Sequence, residues 1–383
     1  VDAAPARIAM AAGEASGDML AGLVLPALKA RLGACECAGI GGDHMIAAGF
    51  DAWWHVHELS VRGYSEVLRH LPRLLRIRRE LMARARAWPA RVYVGVDAPD
   101  FNLGVQENLR AAGVRTIQYV APAVWAWRPE RIAKVRRAVE HLLPLLPFEE
   151  KLFADAGVRT TYVGHPLAST LPQHVDARAA RARLGIDDAR PTVALLPGSR
   201  IAEVSSLGPP FCDTICWLQQ RNASMQFIIP AANENLKVVL DSMLAQSGAD
   251  RARIYIMQGR SHDCLEAADA VLVAAGTATL ETMLLGKPMV IAYKVPWLTA
   301  WITMRKALIP FFGLPNILAG RHVVPEFVQE NVVADRLGPA LMGFLDDPAR
   351  VSALGEQFAA MRATLQRDTP GLVAQAIAEA AGQ

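Results

Sequence analysis

Two runs in the second half of the chain carry the side chains and backbone freedom needed to hold a nucleotide diphosphate. Val271-Leu272-Val273-Ala274-Ala275 is an apolar strand pattern that leads into Gly276-Thr277-Ala278-Thr279-Leu280-Glu281 and an apolar helix. Gly276 lets backbone approach a ligand with no Cβ in the way. Thr277, with Ala278 and Thr279 behind it, puts hydroxyl and amide donors at a helix N-terminus, which favours negative charge. Glu281 stands one turn further along on roughly the same face, placed to accept from the two hydroxyls of a ribose. The second run, Thr192 to Arg200, is again a strand feeding a glycine turn, Gly198-Ser199, with Glu203 following. Arg200 adds a planar fork of donors matched to phosphate oxygens. Either run alone also fits a strand end followed by a helix cap. Two of them favour the ligand reading, because donors converging at the carboxyl ends of one parallel sheet are how α/β folds hold nucleotides.

The first half offers acids. Gly13-Glu14-Ala15-Ser16-Gly17-Asp18 follows the first strand and opens the first helix, but lacks the Gly-x-Gly-x-x-Gly spacing of a dinucleotide site. Glu14 and Asp18 suit sugar hydroxyls or a helix cap. In Asp97-Ala98-Pro99-Asp100-Phe101-Asn102, Asp97 holds the last strand position, and Asp100 or Asn102 is the expected helix cap. A carboxylate held against a sugar hydroxyl can take its proton as that oxygen attacks, with no covalent enzyme intermediate. Asp97 is the expected base, with Glu14 as its rival; a turn-stabilising role for Asp97 stays open. Trp125-Ala126-Trp127-Arg128 suits a sugar face, an acyl chain or a core position equally.

Positioning these groups requires alternating strands and helices. Strand patterns at 8–13, 91–97, 115–120 and 160–164, and again at 192–197, 226–230, 253–257, 270–275 and 288–293, are separated by helical ones such as 19–31 and 102–112. The chain of 383 residues exceeds one ordinary core. The expected fold is α/β, two doubly wound Rossmann-like domains facing a cleft. Boundaries are expected at 1–172 and 186–365, with the stretch around 167–190 as the join and a closing helix within 366–383 crossing back onto the first domain.

A net charge of +3 is too small for general nucleic-acid binding, and the five cysteines show neither a disulfide framework nor paired zinc spacing. No metal is expected. The start of the chain lacks a signal-peptide pattern, so a cytoplasmic location is expected. From Tyr64 to Met82, apolar residues including Val67, Leu68, Leu71, Leu74 and Leu75 form a helical stripe, with Arg69, Arg73, Arg76 and Arg79 between them. This composition suits a helix lying on an anionic bilayer, or a core-facing helix with a solvated basic face. A second apolar stretch, Val295 to Met304 between Lys294 and Arg305-Lys306, is too short to span a membrane and favours peripheral contact.

Taken together, Gly13–Asp18, Asp97–Asn102, Val124–Arg128, Leu146–Glu149, Leu196–Arg200, Gly276–Glu281 and Leu314–Gly320 resemble the lipid-A-disaccharide synthase family over nearly the whole chain. The resemblance implies a GT-B glycosyltransferase that joins UDP-2,3-diacylglucosamine to 2,3-diacylglucosamine 1-phosphate with inversion, releasing UDP without a metal cofactor. It places Ser199, Arg200 and Gly276 to Thr279 at the diphosphate, Glu281 at the ribose and Asn316 in donor handling, although Asn316 also fits a helix cap. It places Ser16 and the 64–82 helix on the acceptor side, at the cytoplasmic face of the inner membrane, and leaves a homodimer open. A UDP-N-acetylglucosamine 2-epimerase would share the nucleotide turn without needing the basic apolar helix. A non-enzymatic nucleotide-sensing membrane adaptor would bind the UDP-sugar and release no UDP.

Overall fold

A computed structural model describes residues 5–59 and 64–382; the side chains of 64–70, 127, 298, 302 and 303 lie outside what is described. The chain forms two compact units. The first runs through Ser169 and resumes at Thr364, and the second is Thr170–Ala363.

The first unit holds six parallel strands, β1 (Ala6–Ala12), β2 (Cys35–Gly41), β3 (Asp51–His55), β4 (Val92–Val96), β5 (Arg115–Tyr119) and β6 (His141–Leu143), in the order β3-β2-β1-β4-β5-β6. The two central strands, β1 and β4, are largely apolar because helices cover both faces of the sheet. One face packs against the helix Ala15–Leu32, through Leu20, Val24 and Leu28, and against the closing helix Thr369–Ala381, through Val373 and Ile377. The other face receives Ile77, Leu81 and Ala85 of the helix Tyr64–Ala87.

The second unit repeats the plan with β7 (Thr192–Leu196), β8 (Gln226–Ala231), β9 (Ile254–Gln258), β10 (Ala270–Ala274), β11 (Met289–Tyr293) and β12 (Glu326–Val328), ordered β12-β11-β10-β7-β8-β9 and parallel. From Thr170 onward, the stretch expected as a join belongs to this unit. Within it the helix Ala177–Leu184 carries Arg181, whose guanidinium donates to the Ala267 carbonyl at 3.0 Å and the Asp269 carboxylate at 2.8 Å.

In both sheets the order of strand addition reverses once, between β1 and β4 in the first unit and between β7 and β10 in the second. Helices leave such neighbouring strands on opposite faces, opening a crevice at the carboxyl edge. Asp97 and the Gly13–Asp18 turn follow β4 and β1; Gly276 and the Ser199-Arg200 turn follow β10 and β7.

Not every expected element forms. The 160–164 stretch forms no strand; it makes a bridge, Leu142 to Thr160, and Val163 N–H donates to the Pro144 carbonyl at 3.2 Å.

Candidate active site

At the crevice of the first unit the two turns touch, and residue 13 is glycine for that reason: a Cβ there would stand 2.1 Å from the Cβ of Ala98. Asp97 and Ala98 both have positive φ, 52° and 42°, and so does β-branched Val120 at 73°. Each such conformation costs about 1–3 kcal/mol and persists only where surrounding structure enforces it. Buried amides do so. Asn102 Nδ2 donates to the Asp97 carbonyl at 2.9 Å, and Gln118 Nε2 donates to the carbonyls of Asp97 at 3.0 Å and Val120 at 3.1 Å. Tyr93 in turn donates its hydroxyl to Asn102 Oδ1 at 2.7 Å. Asn102 therefore braces the Asp97 turn instead of capping the helix Pro99–Ala111, and exposed Asp100 pairs with Arg131.

The Asp97 side chain is half-buried, while Glu14 and Ser16 are exposed. Burial pushes the Asp97 carboxyl above the usual aspartate range; the Ala98 backbone N–H opposes this, and the negative charge of Glu14 adds to it. A carboxylate with a raised pKa is a better proton acceptor once ionised. Asp18 is committed elsewhere: buried, it accepts from the N–H groups of Gly42 at 2.7 Å, His44 at 3.0 Å and Met45 at 3.1 Å, closing the start of the helix Asp43–Ala47.

Trp125 is held from behind. Its indole N–H donates to Glu149 Oε1 at 2.9 Å, and Phe148 meets its ring edge-on at 5.1 Å. Glu149 is buried, and that burial pushes its carboxyl up to about 7, against the bonds it accepts from Trp125 and from Leu146 N–H. Because the folded value lies above the ordinary 4.5, stability from this group is complete below about 4.5 and is lost as pH rises through about 7. The full loss is on the order of 3 kcal/mol. Glu149→Gln, which cannot ionise, is expected to hold its denaturant midpoint steady across that window while the wild-type midpoint falls. Parallel curves would show that the carboxyl titrates normally.

In the second unit, a cavity of about 520 Å³ opens at the crevice. Ser199, Arg200, Gly276, Thr277, Ala278 and Glu281 all line it. The helices Ile201–Arg221 and Thr277–Leu284 begin there, so their positive ends converge on one space. Gly198, with φ of 126°, turns the chain off β7; a Cβ there would stand 2.5 Å from the Glu203 side chain. Glu203 uses that proximity to accept from the N–H of Ser199 at 3.0 Å and of Arg200 at 3.3 Å, with Oε1 3.3 Å from the Arg200 guanidinium. The donors this turn offers the cavity are therefore the Ser199 hydroxyl and the exposed guanidinium. At the other turn, Thr277 and Ala278 are the first two helical residues, positions whose N–H groups have no intrahelical acceptor.

Two residues expected at the ligand do not line the cavity. Thr279 is fully buried; its hydroxyl donates to the Gly276 carbonyl at 2.7 Å and accepts from Leu314 N–H at 3.2 Å. Asn316 is also fully buried, accepting from Val323 N–H at 2.7 Å and Val324 N–H at 3.1 Å and donating to Glu326 at 2.7 Å. Both shape the support behind the Gly276 turn.

The sequence reading missed Arg260, Ser261 and His262, which line the same cavity after β9. His262 lies 3.4 Å from the Glu281 carboxylate, and that contact raises its pKa. The available signal was Gly259, a third glycine turn after a strand. On the helix Tyr64–Ala87, Leu71 and Leu75 are 41% and 45% exposed, whereas Leu81 is buried and Met82 partly so. Leu74 is half-buried; Arg73 pairs with Glu58 at 2.7 Å and Arg76 approaches Glu80 at 3.9 Å. The side chains of Val67, Leu68 and Arg69 lie outside the described residues. Among the described residues no helix is long and apolar enough to cross a membrane, and no group of three His, Cys, Asp or Glu is arranged for a metal ion.

The sequence family described as lipid-A-disaccharide synthetase matches residues 8–375. The lipid-A-disaccharide synthase of Burkholderia pseudomallei (strain K96243) is 46% identical over 375 residues, covering 98% of this chain and 96% of its own. Among solved structures, a putative UDP-N-acetylglucosamine 2-epimerase from Listeria monocytogenes gives a TM-score of 0.64 at 10% identity, covering 98% of this chain and 95% of that one. MurG from Acinetobacter baumannii gives 0.58 at 14%, covering 98% and 100%. At such identities the likeness is one of fold, and the fold is of the GT-B class.

Proposed function

Because the chain belongs to the lipid-A-disaccharide synthase family, we propose that its two crevices divide one glycosyl transfer, the second unit holding the UDP-sugar and the first supplying the base. The reaction is that of the family: 2,3-diacylglucosamine passes from UDP to the 6-hydroxyl of 2,3-diacylglucosamine 1-phosphate, with inversion. The observation that carries the site assignment is the convergence of Ser199, Arg200, Gly276, Thr277 and Glu281 on one cavity.

Asp97 takes the hydroxyl proton as the acceptor oxygen forms its bond to the anomeric carbon. The bond from that carbon to the diphosphate breaks, and UDP leaves with the electron pair. A single displacement of this kind inverts the centre. Arg200 and the first-turn amides of Thr277 and Ala278 meet the departing charge, a task that a divalent cation performs elsewhere, and their presence supports a reaction without metal. Glu281 accepts from the ribose. Its contact with His262 fixes the carboxylate for that role.

Incubating the chain with UDP-diacylglucosamine and radiolabelled diacylglucosamine 1-phosphate, with and without chelator, is expected to yield labelled disaccharide and UDP equally in both. Turnover that needs no lipid acceptor would favour epimerase chemistry, and binding without UDP release would favour the adaptor. Yield that collapses with chelator would remove the metal-free assignment.

Exposed Leu71 and Leu75 support peripheral attachment to the cytoplasmic face of the inner membrane through the basic helix. Serine at Leu68, Leu71, Leu74 and Leu75 together is expected to release the protein from membranes with its melting transition retained. Loss of the folded state would make those leucines core.

A further inference from the structure

Between β11 and the helix Leu314–Ala319, the second unit makes an excursion clamped at both ends. At the outgoing end the Gln329 side chain accepts from Val295 N–H at 2.8 Å and donates to the Val295 carbonyl at 2.9 Å. At the returning end the Glu326 carboxylate accepts from the N–H groups of Phe312 and Gly313, both at 2.9 Å. The rings of Tyr293 and Phe312 stack across the neck with centroids 4.7 Å apart.

Beyond this neck the surface is apolar. Trp297, Trp301, Met304 and Leu308 are 76%, 51%, 52% and 55% exposed. Exposed apolar groups gathered this closely mark an interaction surface. Its charge is one-sided: from Thr282 to Pro325 the chain has no Asp or Glu, while Lys294, Arg305 and Lys306 flank the apolar side chains. The whole chain is nearly balanced, with 40 Lys and Arg against 37 Asp and Glu, so the bias is local. Arg305 lies 4.2 Å from the Trp301 ring centroid, a cation resting on the edge of the apolar patch.

We propose that this excursion lies in the surface of an anionic phospholipid bilayer, Trp297, Trp301, Met304 and Leu308 entering among the headgroups and Lys294, Arg305 and Lys306 facing lipid phosphates. Indole rings and long cationic side chains share an apolar body with a polar end, the make-up that an interface between hydrocarbon and water selects. Charge decides against a second copy of this chain, since a two-fold contact through this face would set its cations against each other. The assignment stands apart from the helix Tyr64–Ala87 and from the nucleotide cavity, so either can fail without it.

The test uses the full chain and vesicles of phosphatidylcholine alone or mixed with phosphatidylglycerol, in wild type and in a Leu71→Ser/Leu75→Ser background. Replacing Trp297, Trp301, Met304 and Leu308 by serine is expected to weaken binding to the anionic vesicles on the order of tenfold or more in both backgrounds, with UDP affinity unchanged. Trp297→Phe/Trp301→Phe keeps the apolar surface. It is expected to bind vesicles yet lose the blue shift in tryptophan emission that wild type shows on binding. Salt is expected to weaken wild-type binding, as screening requires. The proposal is overturned by vesicle binding that survives the four serines, by a blue shift that survives the phenylalanine pair, or by serines that dissociate a dimer and leave vesicle binding intact.

Discussion

Asp97→Asn is expected to cut turnover by a factor on the order of 100 or more while UDP affinity stays nearly unchanged, because the substitution removes a proton acceptor and little else. Asparagine keeps the shape of aspartate, and the turn is held through the main-chain carbonyl of residue 97 by Asn102 and Gln118, bonds that do not involve the carboxylate. The pH profile sharpens the test. Asp97 must be ionised to act, and its raised pKa puts the acidic limb of turnover above the ordinary aspartate range. Glu14→Gln removes a negative neighbour that contributes to that rise, so the limb is expected to move to lower pH with turnover at its plateau retained. A Glu14→Gln variant that is inactive at every pH, beside an active Asp97→Asn, would exchange the two roles.

Arg200→Ala is expected to weaken UDP binding by about 10- to 100-fold, the range of a charge-assisted hydrogen bond of roughly 1.5–3 kcal/mol. The guanidinium carries this effect because the neighbouring amides are already engaged by Glu203. Lysine at position 200 keeps the charge and loses the planar fork, so Arg200→Lys is expected to recover only part of the affinity. Titration calorimetry on the three proteins reads this directly. Equal affinities would take Arg200 away from the diphosphate.

The parts of the fold that were legible in the sequence are those where one physical requirement leaves one pattern. An interior strand of a parallel sheet is covered on both faces, so β4 and β10 read as unbroken apolar runs. A glycine directly after such a strand marks a turn at the carboxyl edge, which is why Gly276, Gly198 and Gly13 pointed to the crevices. Short edge strands carry no such signature. β6 and β12 have three residues each, and an expected strand at 160–164 stood in for the first of them. Polar residues near helix starts were ambiguous for a different reason. Asn316, Thr279 and Asn102 have the right chemistry to touch a ligand, and the same chemistry lets them hold a loop from inside. Only burial and partners separate the two, and both depend on residues distant in the chain: Glu326 for Asn316, Leu314 for Thr279, Tyr93 for Asn102. The basic helix shows the same limit. Its periodicity ran unbroken from Tyr64 to Met82, yet Leu81 meets the sheet while Leu71 and Leu75 do not.

The most direct measurement is a crystal structure of the chain with UDP. The diphosphate is predicted to lie in the cavity after β7 and β10, within hydrogen-bond reach of the Arg200 guanidinium and the N–H groups of Thr277 and Ala278, with the ribose hydroxyls on Glu281. A diphosphate bound at any other place on the second unit, or in this cavity without contact to Arg200 and the 276–278 turn, would contradict the account.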